Sequence, residues 1–274
     1  MKPIARALAK AARKLSDTSD TARLDSELLM AEALGIDRDR LILDPPGREP
    51  PERFWTMVER RIAGEPVAYI TGRRAFWNIE LHVGPGVLIP RPDSEVLIAS
   101  AIDHFEGRAP KRILDLGTGP GTLLLAALDL WPDATGIGVD ASRRALSYAA
   151  ANSRRLGFEK RARLRLGDWA QGIAETFDLV LCNPPYVADD EQIDAAVAKH
   201  EPEEALFAGP EGLDSIRHLA PEMPRLLAAD GLAAVEIGPT QSAAAVSALQ
   251  RDGLGARVAT DLAGRDRAVL LTWA

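Results

Sequence analysis

The sequence predicts an α/β protein with a mostly parallel main sheet and an antiparallel edge strand. A small helical domain and a β-hairpin linker precede it. Three observations lead there. From Arg112 onward, apolar strand-like runs alternate with helical stretches, and that alternation builds a parallel sheet covered on both faces. The last two strand-like runs, Arg257–Leu262 and Arg267–Ala274, are joined too tightly for a crossover helix. At least one of them must therefore run antiparallel at the edge. Before Phe76 the pattern is helical instead.

In chain order, Leu24, Leu28, Ala31 and Leu34 recur at helical spacing after candidate N-caps at Ser19, Asp20 or Thr21, and Gly35 is the stop. Leu41-Ile42-Leu43 reads as a short apolar turn. Asp44-Pro45-Pro46-Gly47 breaks the chain, and Pro50-Pro51 starts another helix through Ile62. The stretch from Phe76 to Leu88 has β-formers around Gly84-Pro85-Gly86 and reads as a hairpin. Ile89–Glu95 is a connector. Then follow a strand at Arg112–Gly117, a helix at Gly121–Trp131, a strand at Thr135–Asp140 and a helix at Ser142–Gly157. Strands at Arg161–Trp169, Phe177–Asn183 and Gly231–Gly238, a helix at Ser242–Gln250 and the final hairpin complete the set. The expected domains are residues 1–75 (helical, substrate recognition), 76–90 (hairpin linker) and 91–274 (the sheet).

Bulk properties narrow the function classes. The chain has 274 residues, 46% hydrophobic and 27% charged, ordinary for a globular protein. No apolar run approaches the roughly 18 residues a spanning helix needs, so no membrane partner is expected. The basic, amphipathic start lacks a continuous apolar core and is soon followed by Asp17, Asp20 and Asp25, so no targeting peptide is expected. One cysteine, Cys182, excludes an internal disulfide and fits a reducing cytoplasm. The four histidines are scattered, and a metal site is not expected. Net charge is −7. Residues 1–75 hold 14 Lys/Arg against 12 Asp/Glu, which leaves 19 against 28 for the rest. The acidic part is the sheet domain, a poor match for a polyanion, so no direct nucleic-acid partner is expected.

Three strand ends carry candidate ligand groups. Leu114–Gly121, "LDLGTGPG", places Gly117, Thr118, Gly119, Pro120 and Gly121 between a strand and a helix. Position 122 is Thr, not the third glycine of a dinucleotide fingerprint, and Pro120 removes an N–H that a pyrophosphate would want. Asp140 ends the next strand and suits two ribose hydroxyls. Asp168-Trp169 ends the third. Asp168 suits a base amino group, and the indole can stack on the base. Each has a structural explanation alone: a tight turn, a helix cap, core. Together they face one crevice, where open α/β sheets bind ligands.

The fourth strand runs into Asn183-Pro184-Pro185-Tyr186. Prolines offer carbonyls and no donors on a stiff backbone. The Asn183 oxygen and the Pro184 carbonyl make a rigid pair of acceptors, and Tyr186 can lie against a flat group. The turn suits a planar –NH2, an amide or an exocyclic base amine.

With "DLGTGPG", Asp140 and "GDW" before it, "NPPY" resembles the turn of S-adenosyl-L-methionine-dependent amino methyltransferases. "AYITGRRAFWNIELHVGPGVLIPRPDSE", "NPPYV", "HEPEEALFAGPEGLD" and "DLAGRDRAVLL" narrow the resemblance to the release-factor glutamine methyltransferases, over nearly the whole chain. The resemblance implies a Rossmann-like seven-stranded methyltransferase sheet. It implies methyl transfer from S-adenosyl-L-methionine, leaving S-adenosyl-L-homocysteine, to the side-chain nitrogen of the glutamine in a Gly-Gly-Gln segment. The partners are class 1 peptide chain release factors. Gly117 to Gly121, Asp140, Asp168, Trp169 and Asn183 are then cofactor residues. Asn183 to Tyr186 form the substrate turn, with Asn183, Pro184 and Tyr186 catalytic. Pro120 stands where the family often has a small polar residue, and His200 where an aromatic is common. Methylation of a ribosomal-protein glutamine, or of adenine N6, uses the same turn chemistry. A cofactor-binding scaffold without turnover is the reading from a different class.

Overall fold

The chain's structure, a computed structural model, describes residues 2–274. It divides into two compact units: residues 1–73 with 194–200, and residues 74–193 with 201–274.

The first unit is helical: α1 Pro3–Leu15, α2 Ala22–Leu34, α3 Arg38–Leu43, α4 Glu52–Ile62 and α5 Val67–Thr71. Ile4, Ala7, Leu8, Ala11 and Leu15 line one face of α1 at three- and four-residue spacing. They meet Leu29, Met30, Phe54 and Val58 in one core. The buried face of α2 carries Leu29, Met30 and Ala33 together with Asp25, Ser26 and Glu27, whereas Leu24 is exposed. Buried ion pairs make this face workable: Arg61 Nε donates to Asp25 at 2.7 Å, and Arg38 Nη2 donates to Glu27 at 2.8 Å. Leu41-Ile42-Leu43 is the end of the short helix α3, not a turn.

The second unit opens with the hairpin, β1 Arg73–Phe76 and β2 Ile79–His82. Its turn is Trp77-Asn78, not Gly84-Pro85-Gly86, which follows the second strand. Trp77 takes a φ of 52°, and Glu95 accepts its backbone N–H at 3.1 Å. A tertiary contact thus supports a turn that local propensity does not favour.

A 3-10 turn, Pro92–Ser94, leads into α6 Glu95–His104, a helix not expected from the sequence. Then come β3 Arg112–Leu116, α7 Thr122–Leu130, β4 Thr135–Asp140, α8 Arg143–Arg155, β5 Ala162–Leu166 and β6 Phe177–Cys182. Short helices follow the turn after β6: α9 Ala195–His200, α10 Asp214–Leu219 and α11 Met223–Leu226. Strand β7 Leu227–Glu236, α12 Ser242–Leu249, β8 Leu254–Thr260 and β9 Asp266–Trp273 close the chain.

The seven strands order as β5-β4-β3-β6-β7-β9-β8. The first five are parallel, and β9 pairs antiparallel with both β7 and β8. The fold is the Rossmann-like methyltransferase sheet, with the antiparallel strand inserted next to the edge. Leu114, Val180, Cys182 and Val235 share one core with residues of α10, α11 and α12. Asp115 points to the opposite face by alternation, where α7 packs. From β3 the chain runs out through β4 to β5, then returns to place β6 on the other side of β3. The switch point of the sheet therefore lies between β3 and β6. Among the described residues, no helix is long and apolar enough to cross a membrane.

Candidate active site

Because β3 to β6 are parallel, their loops open on the same side of the sheet, onto a cavity of about 320 Å³. Gly117, Thr118, Gly119, Pro120, Asp140, Asp168, Trp169, Asn183 and Pro185 line it. Gly121, Pro184 and Tyr186 lie outside the lining.

The loop after β3 is held by its own backbone. Gly117 and Thr118 both donate their N–H to the Val139 carbonyl at 2.9 Å. Gly119 N–H donates to Asp140 Oδ2, and Ser142 N–H donates to Asp140 Oδ1, each at 2.8 Å. Asp140 thus fixes the loop with one lone pair from each oxygen and keeps others for a ligand hydroxyl. Burial pushes its pKa up, against those two bonds. Gly119 has a φ of 57°, and a Cβ there would meet nothing within 4 Å. Its glycine answers a backbone requirement and leaves room above the loop. The Pro120 carbonyl accepts from Asn152 Nδ2 at 2.9 Å, while Asn152 Oδ1 takes the His82 N–H at 2.7 Å. The amide of Asn152 therefore ties the loop to β2. Trp169 has a φ of 45°, a strained conformation that non-glycine residues hold where surroundings over-determine it.

The lining carries four acids, Asp115, Asp140, Asp168 and Glu204, and one base, Arg91. Asp115 is 1% exposed. Its Oδ2 accepts from Thr118 Oγ1 at 2.6 Å and from Leu124 N–H at 3.1 Å, and its Oδ1 has no partner. Burial raises its pKa to about 7 despite those bonds. Such a wall favours a ligand that is cationic or rich in donors.

On the opposite wall, Asn183 Nδ2 donates to Ser94 Oγ at 3.0 Å. Among the described residues, nothing donates to Asn183 Oδ1 or to the Pro184 carbonyl. The turn is clamped from behind. Gln241 Nε2 donates to the Tyr186 carbonyl at 2.8 Å, and Val187 exchanges backbone bonds with Leu206 and Ala208 at 2.9 Å each. The Tyr186 phenol faces Glu236, and burial pushes its pKa up. Glu236, at the end of β7, is fully buried, and burial raises its pKa to about 7. The Ser94 and Tyr186 hydroxyls lie near enough to oppose that rise, yet neither closes a well-aligned hydrogen bond on either carboxyl oxygen. Glu201 is also buried. It accepts from Arg91 Nη2 at 2.5 Å and from Ile89 N–H at 2.9 Å, which anchors the stretch leading to Ser94.

Sequence reasoning missed Asp115, Ser94, Gln241 and Glu236. Asp115 and Ser94 lay inside quoted motifs, and a carboxyl in an otherwise apolar strand was the available sign for Asp115 and Glu236.

Comparison with known proteins follows the same division. The PrmC N-terminal domain matches residues 6–72, and a methyltransferase domain matches residues 108–248. A release factor glutamine methyltransferase of Caulobacter vibrioides is 42% identical over 259 residues, covering 92% of this chain and 89% of its own. The corresponding protein of Rhodospirillum rubrum is 40% identical over 254 residues, covering 90% and 78%. A methyltransferase structure from Pyrococcus furiosus superposes with a TM-score of 0.54 at 17% identity, over 78% of this chain and 96% of that one, and speaks for the fold alone.

Proposed function

This chain belongs to the release factor glutamine methyltransferase family, and from that premise we propose the following reaction. It moves a methyl group from S-adenosyl-L-methionine to the side-chain amide nitrogen of the glutamine in the Gly-Gly-Gln segment of class 1 peptide chain release factors. One observation carries the proposal. Asn183 gives one N–H to Ser94 and leaves its oxygen open, next to a Pro184 carbonyl to which nothing among the described residues donates. A primary amide offers two N–H donors to that pair.

The cavity suits the donor. The four acidic residues of its lining match a molecule with a sulfonium and an ammonium, and spare lone pairs on Asp140 match ribose hydroxyls. Trp169 and Asp168 would meet the base, and Gly117 to Pro120 the rest. Gly121, buried at the start of α7, supports that loop by donating its N–H to the Thr118 carbonyl at 2.9 Å. When bound, S-adenosyl-L-methionine supplies an electrophilic methyl and leaves as S-adenosyl-L-homocysteine.

The residues of the turn do the remaining work. An amide nitrogen is a weak nucleophile because its lone pair is delocalised. Asn183 Oδ1 and the Pro184 carbonyl hold its two hydrogens, aim the nitrogen and stabilise positive charge as it grows. Pro185 shapes the wall on which the amide lies, and Tyr186, outside the lining, anchors the turn through its carbonyl on Gln241. No histidine or lysine lines the cavity among the described residues; the proton leaves the methylated nitrogen to water or to the acceptors that hold it. We assign recognition of the protein substrate to residues 1–75, a linking role to 76–90 and the chemistry to 91–274. A cytoplasmic location goes with this reading.

The test is incubation with labelled S-adenosyl-L-methionine and, separately, a release factor, its Gln-to-Ala variant, ribosomal proteins and DNA. Label on the intact release factor alone is expected. Label on DNA or on a ribosomal protein instead would overturn the proposal.

A further inference from the structure

A side-chain amide is nearly symmetric in shape, so sterics do little to decide which end of Asn183 faces the cavity. Its partners decide. Ser94 Oγ, 2% exposed, is the atom that Asn183 Nδ2 meets. A hydroxyl can give or take. If its proton had nowhere else to go, it could donate to Asn183 Oδ1. The amide would then turn its –NH2 into the cavity, donor against substrate donor.

The surroundings of Ser94 remove that freedom. Glu236 lies beyond it, at the end of β7, with no exposed surface. The hydroxyls of Ser94 and Tyr186 both face its carboxyl, and the nearby charges are Arg267 and Asp93. Cys182, on β6, also feels its charge. Arg267 pairs with Asp93 at 3.1 Å and closes no hydrogen bond on Glu236, so the carboxyl keeps its acceptor capacity. A carboxylate can only accept. Neither hydroxyl closes a well-aligned bond on it, but its negative charge favours both hydroxyl protons on its own side and leaves the Ser94 lone pairs for Asn183.

We propose that Ser94 and Glu236 are positioning residues that set the polarity of the Asn183 amide, nitrogen inward and oxygen toward substrate. Tyr186 shares the same acceptor, so one buried carboxyl orients both ends of the Asn183–Tyr186 turn. The inference rests on the reading of Asn183 as acceptor for the substrate amide. Burial raises the pKa of Glu236 to about 7, so the carboxyl acts as a pure acceptor where it is ionised, and this wiring weakens as pH falls below that value.

Two measurements separate this inference from that reading. The first needs no substrate. The chain has three asparagines, Asn78, Asn152 and Asn183, so NMR of protein labelled with 15N-asparagine resolves their side-chain amides, with Asn183 assigned through Asn183→Ala. Ser94→Ala and Glu236→Gln should each shift the Asn183 pair and leave the Asn78 pair in place. An unmoved Asn183 pair in either variant overturns the inference, even if the release factor proves not to be the substrate. The second measures turnover on the release factor. Each variant should lower kcat about tenfold with cofactor Kd within about twofold, and add little further loss in an Asn183→Ala background. Ser94→Thr, which keeps the hydroxyl, should recover most of kcat. Additive losses, or a cofactor Kd that rises with the loss of kcat, would overturn it.

Discussion

The two walls of the crevice are made alike, from strand ends and turns, and use their polar atoms in opposite ways. On the β3–β4 wall the backbone is committed. Gly117, Thr118 and Gly119 all give their N–H groups to the protein, and both oxygens of Asp140 are in use. On the β6 wall the backbone at Pro184 and Pro185 has no N–H to commit, and the acceptors beside it are left open. The first wall is rigid before a ligand arrives and recognises by shape and by residual lone pairs. The second is rigid too, through Gln241 and Val187 behind it, but leaves open the two acceptors that the proposed reaction uses. Preorganised acceptors aimed at developing positive charge act on turnover rather than on ground-state binding.

The sharpest way to break this contrast is Asn183→Ala. It should cut kcat by about 100- to 1,000-fold, while cofactor Kd by calorimetry stays within about threefold. Equal losses in both would merge the two walls into one binding site.

Asp140→Ala should do the reverse. It removes the acceptor of the Gly119 and Ser142 N–H groups, each worth about 1–3 kcal/mol when left unsatisfied. Cofactor Kd should rise at least about tenfold, with kcat at saturating cofactor changed by less than about threefold.

Gly212→Ala probes the clamp behind the turn. Gly212 has a φ of 67°, and a Cβ there would sit 2.2 Å from the Tyr186 carbonyl oxygen. The turn must shift, and backbone strain of this kind costs about 1–3 kcal/mol. A Tm lowered by several degrees together with a lower kcat is the expected result. A lower Tm with kcat intact would mean that turn geometry does not limit turnover.

The smallest effect is on pH dependence. Each wall hides a carboxyl, Asp115 and Glu236, raised by burial to about 7. Between the ordinary carboxyl value and 7, the folded protein holds protons that the unfolded chain has lost. Stability therefore falls as pH rises through that window. Glu236→Gln and Asp115→Asn should each flatten the decline of Tm between about pH 5 and 7.5. An unchanged slope would show that the carboxyl in question ionises normally.

The sequence made the sheet and the cofactor-side wall legible because both are local. Unbroken apolar runs such as Leu179–Cys182 identify buried parallel strands, and the loop, Asp140 and Trp169 each follow a strand end directly. The wiring behind the turn was not legible. Ser94 and Asn183 are 89 residues apart, and only the return of the chain from β5 to β6 and the placing of β7 bring Ser94, Tyr186 and Glu236 together. Short elements escaped for another reason. Helices α9, α10 and α11 have 6, 6 and 4 residues, too few turns to display a period. The core side of α2 also carries charged groups paired with Arg61 and Arg38, partners that spacing alone does not reveal.

The central claim is that two acceptors at Asn183 and Pro184 select a neutral amide nitrogen. It is tested most directly by fragment mass spectrometry of a release factor methylated by this enzyme. The expected product carries one added methyl, on the side-chain nitrogen of the glutamine in Gly-Gly-Gln. A methyl on a lysine, a carboxylate or another glutamine would contradict it.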